Sequence, residues 1–94
     1  MPGYIIANVD WIHPEAMEAY GELAYPTLVA AGGKILAASE QPEIIEGNWG
    51  QGIVVLIEFP SATDARRLLD SAVYQPARQV RQNSADSNLI LLES

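Results

Sequence analysis

The sequence contains no cysteine, one histidine and one lysine among five basic residues. Without thiols there can be no disulfide framework, no thiolate metal site and no cysteine nucleophile. A single histidine, His13, leaves no His pair to hold a metal, so no metal site is expected. Glycine-rich phosphate loops are missing as well. The run Gly47-Asn48-Trp49-Gly50-Gln51-Gly52 is short and follows the wrong kind of element for a nucleotide cradle, and no Gly-x-Ser-x-Gly elbow occurs. ATP, NAD and serine-hydrolase chemistries are thereby set aside, and no cofactor is expected. Long apolar runs are absent too: the longest, Ile53 to Ile57, is far too short to span a bilayer. The start, Met-Pro-Gly followed by a strand-like stretch, has no basic segment ahead of an apolar one, so a cytoplasmic location is expected.

What is present is a chain of 94 residues, 49% hydrophobic and only 18% charged, with a formal charge of −7. Such a chain forms one domain, 1–94, near the lower size limit for folding without covalent staples. Surplus apolar surface on so small a fold is commonly covered by a second copy, which points to a homodimer. The charge is unevenly distributed. Residues 1–58 hold eight acids against Lys34, whereas residues 59–94 balance four acids with Arg66, Arg67, Arg78 and Arg81. A net negative field without a basic, aromatic-interleaved run argues against nucleic acid and against an anionic membrane surface as partners.

Hydropathy periods give the layout. Tyr4–Trp11 reads as a first strand. Pro14 and Glu15 open a helix whose apolar face is Met17, Tyr20, Ala24, Leu28 and Ala31, with Pro26 expected to kink or split it and Gly32-Gly33 to end it. Lys34–Ser39 and a short Glu43–Glu46 are expected strands, and Gly52–Phe59 is a central one. Ser61-Ala62-Thr63-Asp64 is a capping box with Asp in place of Glu, opening a helix to about Asp70 with Ala65, Leu68 and Leu69 inward. A further helix over Val73–Gln82, with Val73, Ala77 and Val80 as its apolar stripe, leads to a last strand, Asn88–Glu93. The order β-α-β-(β)-β-α-(α)-β, with the short third strand and the third helix as additions to a β-α-β-β-α-β frame, predicts an α+β, ferredoxin-like fold: an antiparallel sheet with helices on one face. The other face is apolar as well and needs cover, for which a second copy's sheet is the simplest candidate.

Several segments carry a family resemblance: Tyr4-Ile5-Ile6-Ala7, Pro14-Glu15-Ala16, Pro26-Thr27-Leu28, Gly32-Gly33, Ile45-Glu46-Gly47-Asn48-Trp49, Val54 through Ser61, Asp70 through Gln75, and the trailing Arg78, Arg81, Ser84 and Asp86. In these the chain resembles the domain-of-unknown-function family thirteen-thirty of the dimeric α+β-barrel superfamily, over nearly its whole length. His13 departs from that family's usual Asp before Pro-Glu. The resemblance implies a ferredoxin-like protomer whose sheet packs on its partner's to form a barrel. It implies no defined reaction, because the wider superfamily spans cofactor-free monooxygenases, muconolactone isomerases and haem enzymes.

Five places hold polar or aromatic groups that stand out from the apolar background. Tyr74, Arg78 and Arg81, at spacings of four and three, share one helical face beside the apolar stripe. Arginines held there can clamp a carboxylate or phosphate bidentately, or can pair with the protein's own acids. His13 is the one side chain with an ordinary pKa near neutrality and thus a ready general base, or else surface decoration at a helix start. Glu46 and Trp49 flank a glycine turn, where they either wall a pocket or pack at a dimer contact. Tyr20 falls on the apolar face of the first helix, and Asn8 and Asp10 alternate with Tyr4 and Ile6 on the first strand. Three functions remain open: a pocket between sheet and helices that binds a small organic, anionic ligand; a cofactor-free monooxygenase or isomerase using the same pocket; or a dimerisation module without a ligand.

Overall fold

The strand at the centre of the sheet is the first in the chain. In the computed structural model, which describes residues 1–94, β1 (Gly3–Trp11) pairs antiparallel with β3 (Ile53–Phe59) on one side and β4 (Ala85–Glu93) on the other. The edge strand β2 (Lys34–Ser39) pairs with β3, with a register irregularity between Ile35 and Ala37, giving the order β2-β3-β1-β4. The helix α1 (Ala16–Ala30) links β1 to β2, and α2 (Ala62–Asp70) and α3 (Gln75–Ser84) link β3 to β4. This is the ferredoxin-like α+β arrangement expected from the sequence.

Alternation along the strands sorts side chains to two faces. Ile5 and Phe59 meet Ala24 and Leu28 of α1, Ala65 and Leu68 of α2, and Tyr74 and Ala77 around the start of α3, forming one core on the helix side. On the other side, direct cross-strand neighbours bring together Ile6, Leu56 and Ile90, and Tyr4 and Leu92, with Asn8 opposite Asn88. The β4 part of this side stays largely open, with Ile90 55% and Leu92 45% exposed.

Local signals explain the helix ends. Gly32, at φ +82°, caps α1: its N–H reaches the Val29 carbonyl and that of Gly33 reaches Leu28, the paired bonds of a Schellman motif. The Ser61 hydroxyl accepts from the Asp64 N–H at 3.1 Å and donates to the Asp64 carboxylate at 2.9 Å, so the Asp variant of the capping box works as a local pair.

Three expectations give way to tertiary structure. α1 runs unbroken through Pro26. Both Pro26 and Glu22, whose carbonyl the proline leaves without a donor, are exposed, so water can take the freed group while Ala24 and Leu28 hold both sides of the proline to the core. Glu43–Glu46 forms no strand. The segment 40–52 instead leaves the β2 edge and folds back along the open face, where Asn8 Nδ2 donates to the Gln51 carbonyl at 2.9 Å and the Gly50 backbone presses on the Asn8 amide, leaving no room for a Cβ. Finally, the inward face of α3 is not Val73, Ala77 and Val80. Tyr74, Ala77 and Arg81 are buried, and Val73 is 68% exposed because it lies in the turn ahead of the helix, where helical spacing does not aim it.

A candidate anion site at the edge of the sheet

The rotation of α3 carries a charged group inward. Arg81 is 4% exposed, one of two buried polar or charged residues in the chain, the other being Asn8. Its Nη1 donates to the Ser87 hydroxyl at 2.7 Å, while its Nε, also buried, has no partner. Arg78, one turn earlier, likewise has a buried Nε without a partner. A guanidinium carries five donors, and taking it out of water without satisfying them costs several kcal/mol (roughly 3 or more). The protein's acids do not relieve this. The ion pairs of the chain are Arg67 with Asp64 at 3.6 Å and His13 with Glu15 at 3.8 Å, so Arg66, Arg78 and Arg81 have no carboxylate within 4.0 Å.

These three arginines converge on one cleft of about 300 Å³ at the β4 edge, between the sheet and helices α2 and α3. Arg66 and Leu69 come from α2, and Arg78, Arg81 and Gln82 from α3. Ile5, Leu89 and Leu91 supply an apolar floor. No acidic residue lines it. The cleft therefore joins a hydrocarbon surface to three cations, a combination suited to a small molecule with an apolar skeleton and a negative group.

Behind Arg81 lies a phenol pair. The Tyr20 and Tyr74 hydroxyls share a hydrogen bond at 2.7 Å, and Trp11 packs on Tyr20 with ring centroids 5.5 Å apart at 57°. Burial pushes the Tyr20 phenol well above the ordinary tyrosine value, and the neighbouring Tyr74 adds to this. The Arg81 guanidinium opposes it in part. Tyr20 is therefore a neutral hydrogen-bonding support at physiological pH. Neither tyrosine lines the cleft.

The other candidates lie elsewhere. His13 is an exposed residue of the β1–α1 turn, tied to the fold through its backbone N–H to the Ser84 carbonyl. Glu46 and Trp49 belong to the 40–52 segment, where with Pro42, Glu43, Ile44, Ile45 and Val54 they bound a separate cavity of about 360 Å³. That cavity is the larger of the two, but its charged groups are carboxylates and nothing in it is a buried group lacking a partner. Arg66 joins the cleft residues and Ser87 joins Arg81 only in the folded structure. Ser87 had a signal, since it alternates with Leu89 and Leu91 and so shares their face. Arg66 stood beside Arg67 with nothing to distinguish the residue that faces the cleft from the one that pairs with Asp64.

A four-stranded antiparallel sheet with helices on one face and a cation-lined cleft at its edge places this chain among the ferredoxin-like α+β proteins. More narrowly, residues 2–94 match the family described as Domain of unknown function (DUF1330), and the chain belongs to that family. Among solved structures it is similar to a protein of unknown function from Rhodopseudomonas palustris, with 25% identity and a TM-score of 0.82, covering 99% of this chain and 82% of that one. It shares its fold with SnoaB, a cofactor-independent oxygenase from Streptomyces nogalater (14% identity, TM-score 0.68, 99% and 92% covered). The same holds for a dimeric protein of unknown function and ferredoxin-like fold from Bacteroides fragilis (14% identity, TM-score 0.68, 99% and 96% covered). No curated protein matches the sequence. No helix is long and apolar enough to cross a membrane.

Proposed function

We propose that this protein is a homodimer that binds a small anionic organic molecule in the cleft between β4 and helices α2 and α3, with Arg78 and Arg81 as anchors. The observation that carries the reading is Arg81: a guanidinium 4% exposed, in a protein of charge −7, with no carboxylate within 4.0 Å and a buried Nε that nothing satisfies. An arginine kept for stability alone would be expected at the surface or paired. An anion entering the cleft supplies the missing acceptors. The dimer is supported by the exposed apolar side of the sheet, by the apolar 40–52 arm with Ile44, Ile45 and Trp49 half or more exposed, and by the dimeric relatives of the same fold.

A thermal-shift screen of benzoate, salicylate and short-chain carboxylates on the wild type and on Arg78→Ala tests the reading. At ligand concentrations about 100-fold above Kd, binding adds roughly 2.7 kcal/mol of stability, a rise of about 10–20 °C for a domain of this size. The rise is expected in the wild type and is expected to shrink in the variant. If no organic acid raises the wild-type melting temperature, the anion reading fails and a dimerisation module without a ligand takes its place.

A further inference from the structure

Resting on that anion reading, the cleft's charge and geometry also set the class of ligand: we infer that it takes a small organic dianion, a compact dicarboxylate with an apolar skeleton being the fitting chemistry, and that Arg66 is the residue that selects the second negative group. The lining holds three guanidinium groups and no carboxylate. A monoanion would leave two of the three guanidinium groups without an anionic partner, whereas a dianion leaves one. The cations also come from two elements at graded depth. Arg81 is buried and Arg78 half-buried on successive turns of α3, while Arg66 stands exposed on α2. One anionic group can thus be held by the α3 pair while a second is met by Arg66. The floor of Ile5, Leu69, Leu89 and Leu91 is apolar and Gln82 is the one neutral polar side chain of the lining, so a mainly hydrocarbon skeleton or ring joining those groups fits it best. The volume of about 300 Å³ is at the small end for ligand cavities, which favours a single small acid over a nucleotide-sized one.

Isothermal titration of the full chain with phthalate against benzoate, and glutarate against butyrate, tests this at fixed ionic strength. Each dianion is expected to bind roughly tenfold or more tightly than its monoanionic counterpart, the size of effect one charge-assisted hydrogen bond provides. In Arg66→Gln that preference is expected to fall to near parity while monoanion affinity stays unchanged. Arg66 is exposed, so circular dichroism of the variant should match the wild type. Equal affinity for both members of each pair would overturn the dianion class while leaving the anion site standing. A dianion preference that survives in Arg66→Gln would overturn the role of Arg66. Absence of heat from all four acids would overturn the inference together with the reading on which it rests.

Discussion

The two faces of this sheet are built from the same strands and are treated in opposite ways. On the helix side, Ile5, Phe59, Ala65 and Ala77 are sealed to 3% exposure or less, yet the same side accepts a guanidinium and a phenol pair. On the open side there is no comparable seal. Ile90 and Leu92 stand in the open, and Asn8 is covered only because the 40–52 arm folds onto it. The closed face thus spends its apolar area on folding the protomer, and its polar exceptions are the ones that need a functional explanation. The open face keeps apolar area unburied, which needs an explanation at the level of assembly.

The sharpest way to break the contrast is to make the open face polar. Ile90→Glu with Leu92→Glu is expected to convert a dimer of about twice the 10.2 kDa protomer mass into a monomer in light scattering at micromolar concentration, with unchanged far-ultraviolet circular dichroism. A wild-type mass already equal to one protomer would remove the assembly account of that face altogether.

The next test separates stability from function on the closed face. Arg81→Met exchanges a buried, incompletely satisfied cation for an apolar chain of similar length. Unfolding in urea should show a gain of about 1–2 kcal/mol in the absence of ligand, together with loss of organic-acid binding. A loss of stability instead would mean that the bond to Ser87 and the proximity to Tyr20 outweigh the desolvation of the charge.

The smallest effect concerns the phenol pair. The folded state holds the Tyr20 proton above the ordinary value of 10.0, so the unfolded chain releases it first as pH rises. The stability linked to this proton is fully present below pH 10.0 and is lost as pH climbs beyond it. Tyr20→Phe removes one hydrogen bond, costing about 1 kcal/mol at neutral pH, and should make the alkaline decline shallower. It should not abolish the decline, because Tyr4 on the open face is raised too, by desolvation and then by the Glu58 carboxylate. Parallel declines in wild type and variant would rule out the buried-phenol account.

Most of the fold could be read from residue order, and much less of the site. The nearly continuous apolar runs around Ile5 and Val55, the capping residues Ser61 and Asp64, and the glycines ending α1 are local signals, and each acts where it stands. The uneven charge was equally plain, and it placed every arginine in the last third of the chain. Arg78 and Arg81 stand out by spacing, but their depth does not, since Ala77 can face inward with either Val80 or Arg81 beside it and spacing alone does not choose between them. The Tyr20–Tyr74 bond spans more than half the chain and has no local signature.

Composition and periodicity therefore determined the elements, their order, the acidic balance and the two-faced sheet, because these depend on neighbours a few residues apart. Tertiary packing decided that Glu43–Glu46 is an arm instead of a strand, that Pro26 is carried within an intact helix, and that Arg81 turns inward to join Arg66 and Arg78. Each of those outcomes depends on how distant surfaces fit together: the arm is fastened by Asn8 of β1, Glu22 and Pro26 lie on the exposed side of α1, and α3 is set by Ala77 in the core and Tyr74 against Tyr20.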